Sequence, residues 1–433
     1  MKRLLVVSPR FPPVNAAEMH RARLSLPYFS EFGWEPHVLA VGARHQPDAD
    51  TDPLLLETVP PDVPVTHVGA VPLRWSRACG IGNVALRAWL PLYRAGRRLI
   101  RERRIDLVYF STTMFMALPL GRLWKRTLGV PYVIDMQDPW VAAPAAGTGR
   151  KRALADHLHA VLEPFTMRQV DGLIAVSAAY TTTLRGRYPA IAPDACATIP
   201  FGASAADLDV ARRLSWRNPF FTPGDGRVHG VSVGRGGGDM AIAAEILFRA
   251  WRHIERTRAV PADLLFVGSD YAPAGQGRRT IAPLAEASGV AAAVTESPER
   301  VPYFHGLRLL ADADFLIVLG SEDAQYSPSK VYPYLLTGRP LVAILHEASP
   351  VVDLLRRAGA GVVVTFSGRA SIDASAAALA AALPRVLDGG RETTVDPSLF
   401  EAFSARELTR QQCALFDAVM AHRLSASTVP CPA

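Results

Sequence analysis

Cysteine is scarce: four residues in 433 (Cys79, Cys196, Cys413 and Cys431), none at CxxC spacing. That excludes a disulfide framework and a metal knuckle, and it points to a reducing, cytoplasmic setting. Long apolar runs are missing too. The longest stretch without charge, LVYFSTTMFMALPLG (107–121), is too short to span a bilayer and contains Ser and Thr, so no segment is expected to cross a membrane. The opening MKRLLVVSPRFPP has basic residues and a short apolar run, but Pro9, Pro12 and Pro13 end it too early for a signal peptide. A buried first strand accounts for it better. There is no repeat period, no low-complexity tract, and no Ser-His-Asp or Cys-His arrangement at local spacing.

What is present is globular: 49% hydrophobic and 20% charged residues, in a chain too long for one ordinary core. A formal charge of +7 fits an anionic partner without selecting which one. Short apolar runs alternate with helical patterns from end to end. LLVVS (4–8), EPHVLAV (35–41), IDLVYFS (105–111), PYVIDM (131–136), GLIAVS (172–177) and ATIPFG (197–202) read as strands, with a helix from about Glu18 to Glu31 after the first. Strands without alternation, separated by helices, predict a parallel sheet covered on both faces. The Gly-, Pro- and aromatic-rich SWRNPFFTPGDGRVHG (215–230) reads as a linker or irregular excursion. The alternation then resumes with HGVSVG (229–234), DLLFVGS (263–269), FLIVLGS (315–321), PLVAIL (340–345) and GVVVTF (361–366).

The expected fold class is α/β: two Rossmann-like, doubly wound parallel-sheet domains in tandem, at 1–205 and 206–396. A terminal helix follows at 397–423, and a loose tail at 424–433. Ser404-Ala-Arg-Glu407 has capping-box spacing, and Leu408, Leu415, Phe416 and Val419 fall on one face of the helix after it. That face must pack somewhere, and the first domain is the expected seat.

In parallel sheets, ligands sit beyond the carboxyl ends of the strands. YSPSKVYPYLLTGRPLVAI (326–344) follows such an end and puts Ser327, Ser329 and Lys330 at the mouth of a helix, where free amides attract phosphate. A capped surface helix with a solvated lysine is the alternative. SVGRGGG (232–238) follows the second domain's first strand. Its glycines allow close backbone approach and Arg235 suits a diphosphate, although Asp239 stands where a dinucleotide fingerprint needs its third glycine. In the first domain, the loop SPRFPPVNAAEMHR (8–21) carries Glu18, His20 and Arg21, and DMQDPW (135–140) offers Asp135 and Asp138 as a base, a sugar-hydroxyl acceptor or helix caps. Asp312-Ala-Asp314 lies before a strand and reads as a helix terminus, and Asp48, Asp50 and Asp52 meet Pro53 where a calcium loop turns on glycine. His305 reads as structural. RAWLPLYRAGRRLIRERR (87–104) carries seven arginines against one glutamate. It is either a peripheral contact for an anionic membrane or a solvated helix packed by its apolar stripe. Without an aromatic-rich sheet face or a helix-turn-helix signal, no nucleic acid is expected.

In this order, the first-strand loop with Arg21, DGLIAVSAAYTTTL (171–184), TIPFGAS (198–204), VGRGGG (233–238) and ADADFLIVLG…SPSKVYPYLLTGRPLVAI (311–344) resemble the GT-B glycosyltransferases, most of all family 4, over nearly the whole chain. The resemblance implies two domains facing across a cleft. It implies a nucleoside-diphosphate-sugar donor held by the second domain and a glycan, lipid-linked or small-molecule acceptor on the first, with retention, no metal and no cofactor. On that pattern Gly234, Arg235, Gln325, Tyr326, Ser327, Ser329 and Lys330 bind donor. Asp138 and Glu18 act at the reacting carbon, and Ala17, His20, Arg21 and Asp135 touch acceptor or sugar. The departures are Gln325 and Pro333 in place of two glutamates eight positions apart, Met240 for a lysine, and Ala16-Ala17 for a glycine pair. They keep two other readings open: a catalytically silent sugar-nucleotide-binding partner subunit, or a nucleotide-sugar epimerase of the same architecture.

Overall fold

A computed structural model describes residues 1–78, 80–141, 150–255, 261–270, 276–324, 326, 328–388 and 400–427. The chain divides into two compact units, Met1–Phe201 with Ala405–Ala433, and Gly202–Ser404. The tail expected to be loose begins inside a helix, Ala405–Ser427, and residues 428–433 lie outside the described residues.

Among the described residues, the first unit holds a seven-stranded, all-parallel sheet. Its strands are β1 (Lys2–Val7), β2 (Trp34–Val41), β3 (Val65–Val68), β4 (Leu107–Ser111), β5 (Tyr132–Met136), β6 (Gly172–Ala175) and β7 (Cys196–Thr198), in the order β3-β2-β1-β4-β5-β6-β7. The second unit holds β8 (Val228–Val233), β9 (Ala262–Val267), β10 (Val294–Ser297), β11 (Phe315–Leu319), β12 (Leu341–His346) and β13 (Gly361–Phe366), in the order β10-β9-β8-β11-β12-β13. Every residue of β4, β5 and β11 is buried, which is why these strands read as continuous apolar runs. In each sheet the winding reverses beside the unit's first strand, between β1 and β4 and between β8 and β11. A parallel sheet opens a crevice there, at its carboxyl edge.

Two edge strands escape the sequence reading. β3 (VTHV) has no buried residue and β10 (VTES) has one, so neither shows the apolar run of an inner strand. The helix expected over Glu18–Glu31 is shorter, Met19–Ser25, followed by a separate 3-10 turn at Phe29–Phe32. The 215–230 stretch is not a connector between units. It lies within the second one, where Trp216 stacks on His305 at 4.7 Å and Phe221 on His229 at 4.4 Å. One helical stretch, Arg369–Leu387, is long and apolar enough by length and composition alone to cross a membrane. Its Leu379 and Leu383 are wholly buried in the second unit's core, packed with Ile317 and Ile344.

The terminal helix completes the first unit. Phe416 is fully buried, edge-on to Trp34 at 5.5 Å and 5.1 Å from Tyr109, while the Gln412 amide donates to the Ser25 hydroxyl at 2.9 Å. Phe416→Ala leaves a cavity among these rings and is expected to destabilise the first unit by about 3–5 kcal/mol. Urea unfolding followed by tryptophan fluorescence checks this.

Candidate functional site

In the first unit, the carboxyl edge of the sheet gathers a buried polar cluster. The Arg21 guanidinium pairs with Asp135 at 2.8 Å, and both side chains are almost wholly buried. Arg21 also donates to the Ile199 and Pro200 carbonyls at 2.8 and 3.1 Å and lies over the Phe201 ring. Asp135 further accepts from Gln137 at 3.0 Å and Ser111 at 3.3 Å. Gln137 donates on to the Glu18 carbonyl at 3.1 Å, tying the loop after β5 to the first helix. Burial raises the Asp135 pKa, while Arg21 and the hydrogen bonds from Gln137, Ser111 and Tyr109 work against that rise. The expected acceptor contacts Arg21 and Asp135 are therefore engaged with each other, Arg21 also with the backbone and Asp135 with neighbouring side chains, and the pair is almost closed to solvent.

The remaining first-unit candidates line up around this pair. Glu18 is buried and has Arg10 3.8 Å away. Its pKa is raised by burial and by the charge of Asp138, with Arg10 opposing. Asp138 is exposed on the surface beside it, and partial desolvation raises its pKa as well. Ala17 is exposed at the head of the helix. His20 turns the other way, its Nδ1 3.2 Å from the buried Arg23. The structure thus sets Glu18 and Asp138 together and His20 apart. Gln137, Ser111 and Arg10 went unnoticed in the sequence, although each sits within a few residues of a strand's carboxyl end, where such groups belong.

In the second unit, the loop after β8 and the helix Val331–Leu336 meet at the same edge of their own sheet. The Tyr334 phenol makes the junction. It accepts from the Val233 amide at 2.7 Å and donates to the Val233 carbonyl at 2.9 Å. Gly234 follows with φ at +109°, a backbone that a side chain would strain, and its vacant side meets nothing within 4 Å. Arg235 pairs with Asp239, whose backbone carbonyl accepts from Glu322 and so links the two loops. Burial acts to raise the Asp239 pKa, but hydrogen bonds from Ser321 and Arg235 hold it below the ordinary value. Asp239 stands where the dinucleotide fingerprint has glycine and serves as the counter-ion of Arg235.

Lys330 is different. Its ammonium is buried with no hydrogen-bond partner. Burial first, and the charge of Arg235 second, push its pKa down to about 8. A shift of that size corresponds to on the order of 3 kcal/mol between the charged and neutral forms. The unfolded chain holds this proton more tightly, so the site's contribution to stability rises as pH climbs from about 8 towards the ordinary lysine value of 10.5. Ser329 beside it is exposed. Tyr326 is packed partly into the core, and its carbonyl accepts from Ser349 at 2.9 Å. Gln325 and Ser327 lie outside the described residues. Pro333 falls in the first turn of its six-residue helix, where a missing amide proton costs little.

The carboxylates set aside as structural have partners of that kind. Asp312 pairs with Arg308 at 2.8 Å, Asp314 accepts from the His229 amide at 2.8 Å, and Asp52 caps the turn that begins at Pro53.

Residues 23–202 match the family model of the glycosyl transferase 4-like domain. In fold the chain is similar to WaaG, a glycosyltransferase involved in lipopolysaccharide biosynthesis, with a TM-score of 0.53 and 14% identity over 99% of this chain and 100% of that one. It is also similar to a UDP-forming trehalose-phosphate synthase from Burkholderia xenovorans (TM-score 0.54, 14% identity, 98% of each chain). A putative UDP-N-acetylglucosamine 2-epimerase from Listeria monocytogenes has a TM-score of 0.53 at 14% identity over 98% of each chain. No curated protein matches the sequence. The fold is GT-B. The family match falls almost wholly within the first unit, where it spans β2 to β7.

Breaking the Arg21–Asp135 pair strands a buried charge. Arg21→Ala is expected to cost about 3–5 kcal/mol of stability, with Asp135→Asn milder because an amide still accepts the hydrogen bonds. Differential scanning calorimetry of the two variants reads the difference.

Proposed function

We propose that the protein transfers a sugar from a nucleoside diphosphate donor, held by the second unit, to a glycan, lipid-linked or small-molecule acceptor received by the first. The observation that carries this reading is Lys330. A buried, unpartnered ammonium with a second cation beside it is poorly solvated until an anion arrives. A diphosphate supplies two negative charges, and as a leaving group it needs them neutralised when the glycosidic bond to it breaks. Gly234 leaves room for phosphate oxygens against the backbone, and Arg235 can turn to them from Asp239. Glu18 and Asp138, both with raised pKa, are the groups placed to exchange a proton with an acceptor hydroxyl. Retention of configuration, metal independence and the cytoplasmic setting belong to the same proposal and follow from the family resemblance.

Pro333 in the usual ribose-binding place, together with the epimerase-like fold neighbour, supports the second reading. Donor consumption without acceptor identifies an epimerase, and tight donor binding without turnover in any acceptor screen identifies a silent partner subunit.

A thermal-shift panel of nucleoside diphosphate sugars tests the donor site. At least one donor is expected to raise the melting temperature, with affinity falling about 10- to 100-fold in Lys330→Ala and Arg235→Ala. Wild-type affinity should decline as pH rises through about 8, where free Lys330 gives up its proton, and Lys330→Arg should abolish that decline. If no nucleotide stabilises the wild type, the donor site is wrongly placed.

The basic segment is proposed to rest on an anionic membrane face. One of its arginines, Arg87, is buried and donates to the Val71 and His45 carbonyls, so it belongs to the fold. The helix Trp89–Glu102 buries Leu92, Gly96, Leu99 and Ile100 and leaves Arg94, Arg98 and Arg101 exposed. Before it, Trp75 is 63% exposed and Ile81 39%, and in its first turn Leu90 is 47% exposed. Exposed apolar groups among arginines suit the headgroup layer. Sedimentation with phosphatidylglycerol vesicles should show binding that falls about tenfold in the Trp75→Ser, Leu90→Ser double variant. Equal binding by both proteins would refute the contact.

A further inference from the structure

The polar cluster of the first unit lies at the carboxyl edge of its sheet. At the other edge, in front of β4 and β5, a cavity of about 480 Å³ opens. Its floor is Ile105–Asp106 and Val130–Pro131, the residues that enter those two strands. Its walls come from the ends of the helices Trp89–Glu102 and Pro119–Leu128 and from one face of the terminal helix, at Met420 and Arg423.

Three arginines border this cavity: Arg101, Arg104 and Arg423. All three are exposed, and among the described residues none has a hydrogen bond, ion pair or ring contact through its side chain. Asp106, the one acid in the lining, already accepts from the Arg3 amide at 2.7 Å. Arg101 lies in the last turn of its helix, where it offsets the dipole. That explanation does not extend to Arg104 or to Arg423, which sits within a longer helix. Arg104 also has φ at +50°, a conformation that long side chains seldom adopt and that marks functional positions more often than chance would. Gly129, at φ +72°, keeps the neighbouring wall clear: a Cβ there would come 3.4 Å from the Arg423 guanidinium. Leu128 and Met420 supply an apolar side to the same space.

We infer that this cavity, at the opposite edge of the sheet from the first unit's polar cluster, is a second anion site for an organic phosphate carrying an apolar group. Guanidinium forks match phosphate oxygens in geometry and charge, and three of them against one engaged carboxylate leave an excess of two positive charges. The apolar wall then favours an alkyl or acyl phosphate over the inorganic ion. Such a group reaches the site either as a soluble phosphate ester or as the headgroup of a lipid, and the two differ in where the protein is found when the site is filled.

Isothermal titration of the full chain with hexyl phosphate and with inorganic phosphate tests the site directly. Hexyl phosphate is expected to bind at least tenfold more tightly than inorganic phosphate, and the Arg104→Gln, Arg423→Gln double variant to lose at least tenfold. Hexyl phosphate should also protect Arg101, Arg104 and Arg423 from phenylglyoxal in the wild type, read by mass spectrometry, while Arg94, which does not line the cavity, stays reactive. This second readout does not depend on how the variant folds. A parallel arm uses phosphatidic acid vesicles: binding to vesicles lost in the double variant, with weak hexyl phosphate binding, assigns the lipid source, and the converse assigns the soluble one. If neither ligand binds, or if the variant binds both as the wild type does and no arginine is protected, the inference is overturned.

Discussion

The second unit's chemistry depends on a phenol. Tyr334 grips both backbone groups of Val233, the last residue of β8, and so fixes the short helix that carries Lys330 against the loop that carries Arg235. Six residues of helix have little cooperativity of their own, and tertiary attachment has to hold them. Because the phenol is four residues after Lys330, one helical turn separates the anchor from the charge it positions. The cost of confining two cations near each other is met by packing around Tyr334 and by the Arg235–Asp239 pair, which keeps one of them neutralised.

The two units use the same residue types to opposite ends. At the first sheet's carboxyl edge, Arg21 and Asp135 are each buried with the other as counter-charge, and Arg21 also donates to the Ile199 and Pro200 carbonyls. At the second sheet's edge, Lys330 is buried without satisfaction. A protein tolerates an uncompensated charge where a ligand will compensate it, and this asymmetry is what separates scaffold from binding group when residue names alone do not.

The sequence carried the inner strands well, because β4, β5 and β11 are sealed on both faces and leave unbroken apolar runs. It was silent on β3 and β10, whose edge positions let polar residues stand in for apolar ones. Loops after strands could be recognised as candidate site material, and Glu18, Asp138, Arg235 and Lys330 are proposed on that ground. Pairing was not legible. That Arg21 would reach Asp135, more than a hundred residues away, or that Asp239 would hold Arg235, depends on distances that only the folded chain sets. Trp216 and Phe221 show the same limit, since Gly and Pro around them suggest a connector while their rings stack on His305 and His229.

The terminal helix sets an order of events. Trp34, Phe29 and Tyr109 are made early, yet the ring they close upon, Phe416, leaves the ribosome only after every strand of the second unit. The second unit has all of its strands available before that point. A nascent first unit must therefore carry an open apolar seam while its neighbour is already able to fold, and chaperone demand should concentrate on that seam until the last helix docks.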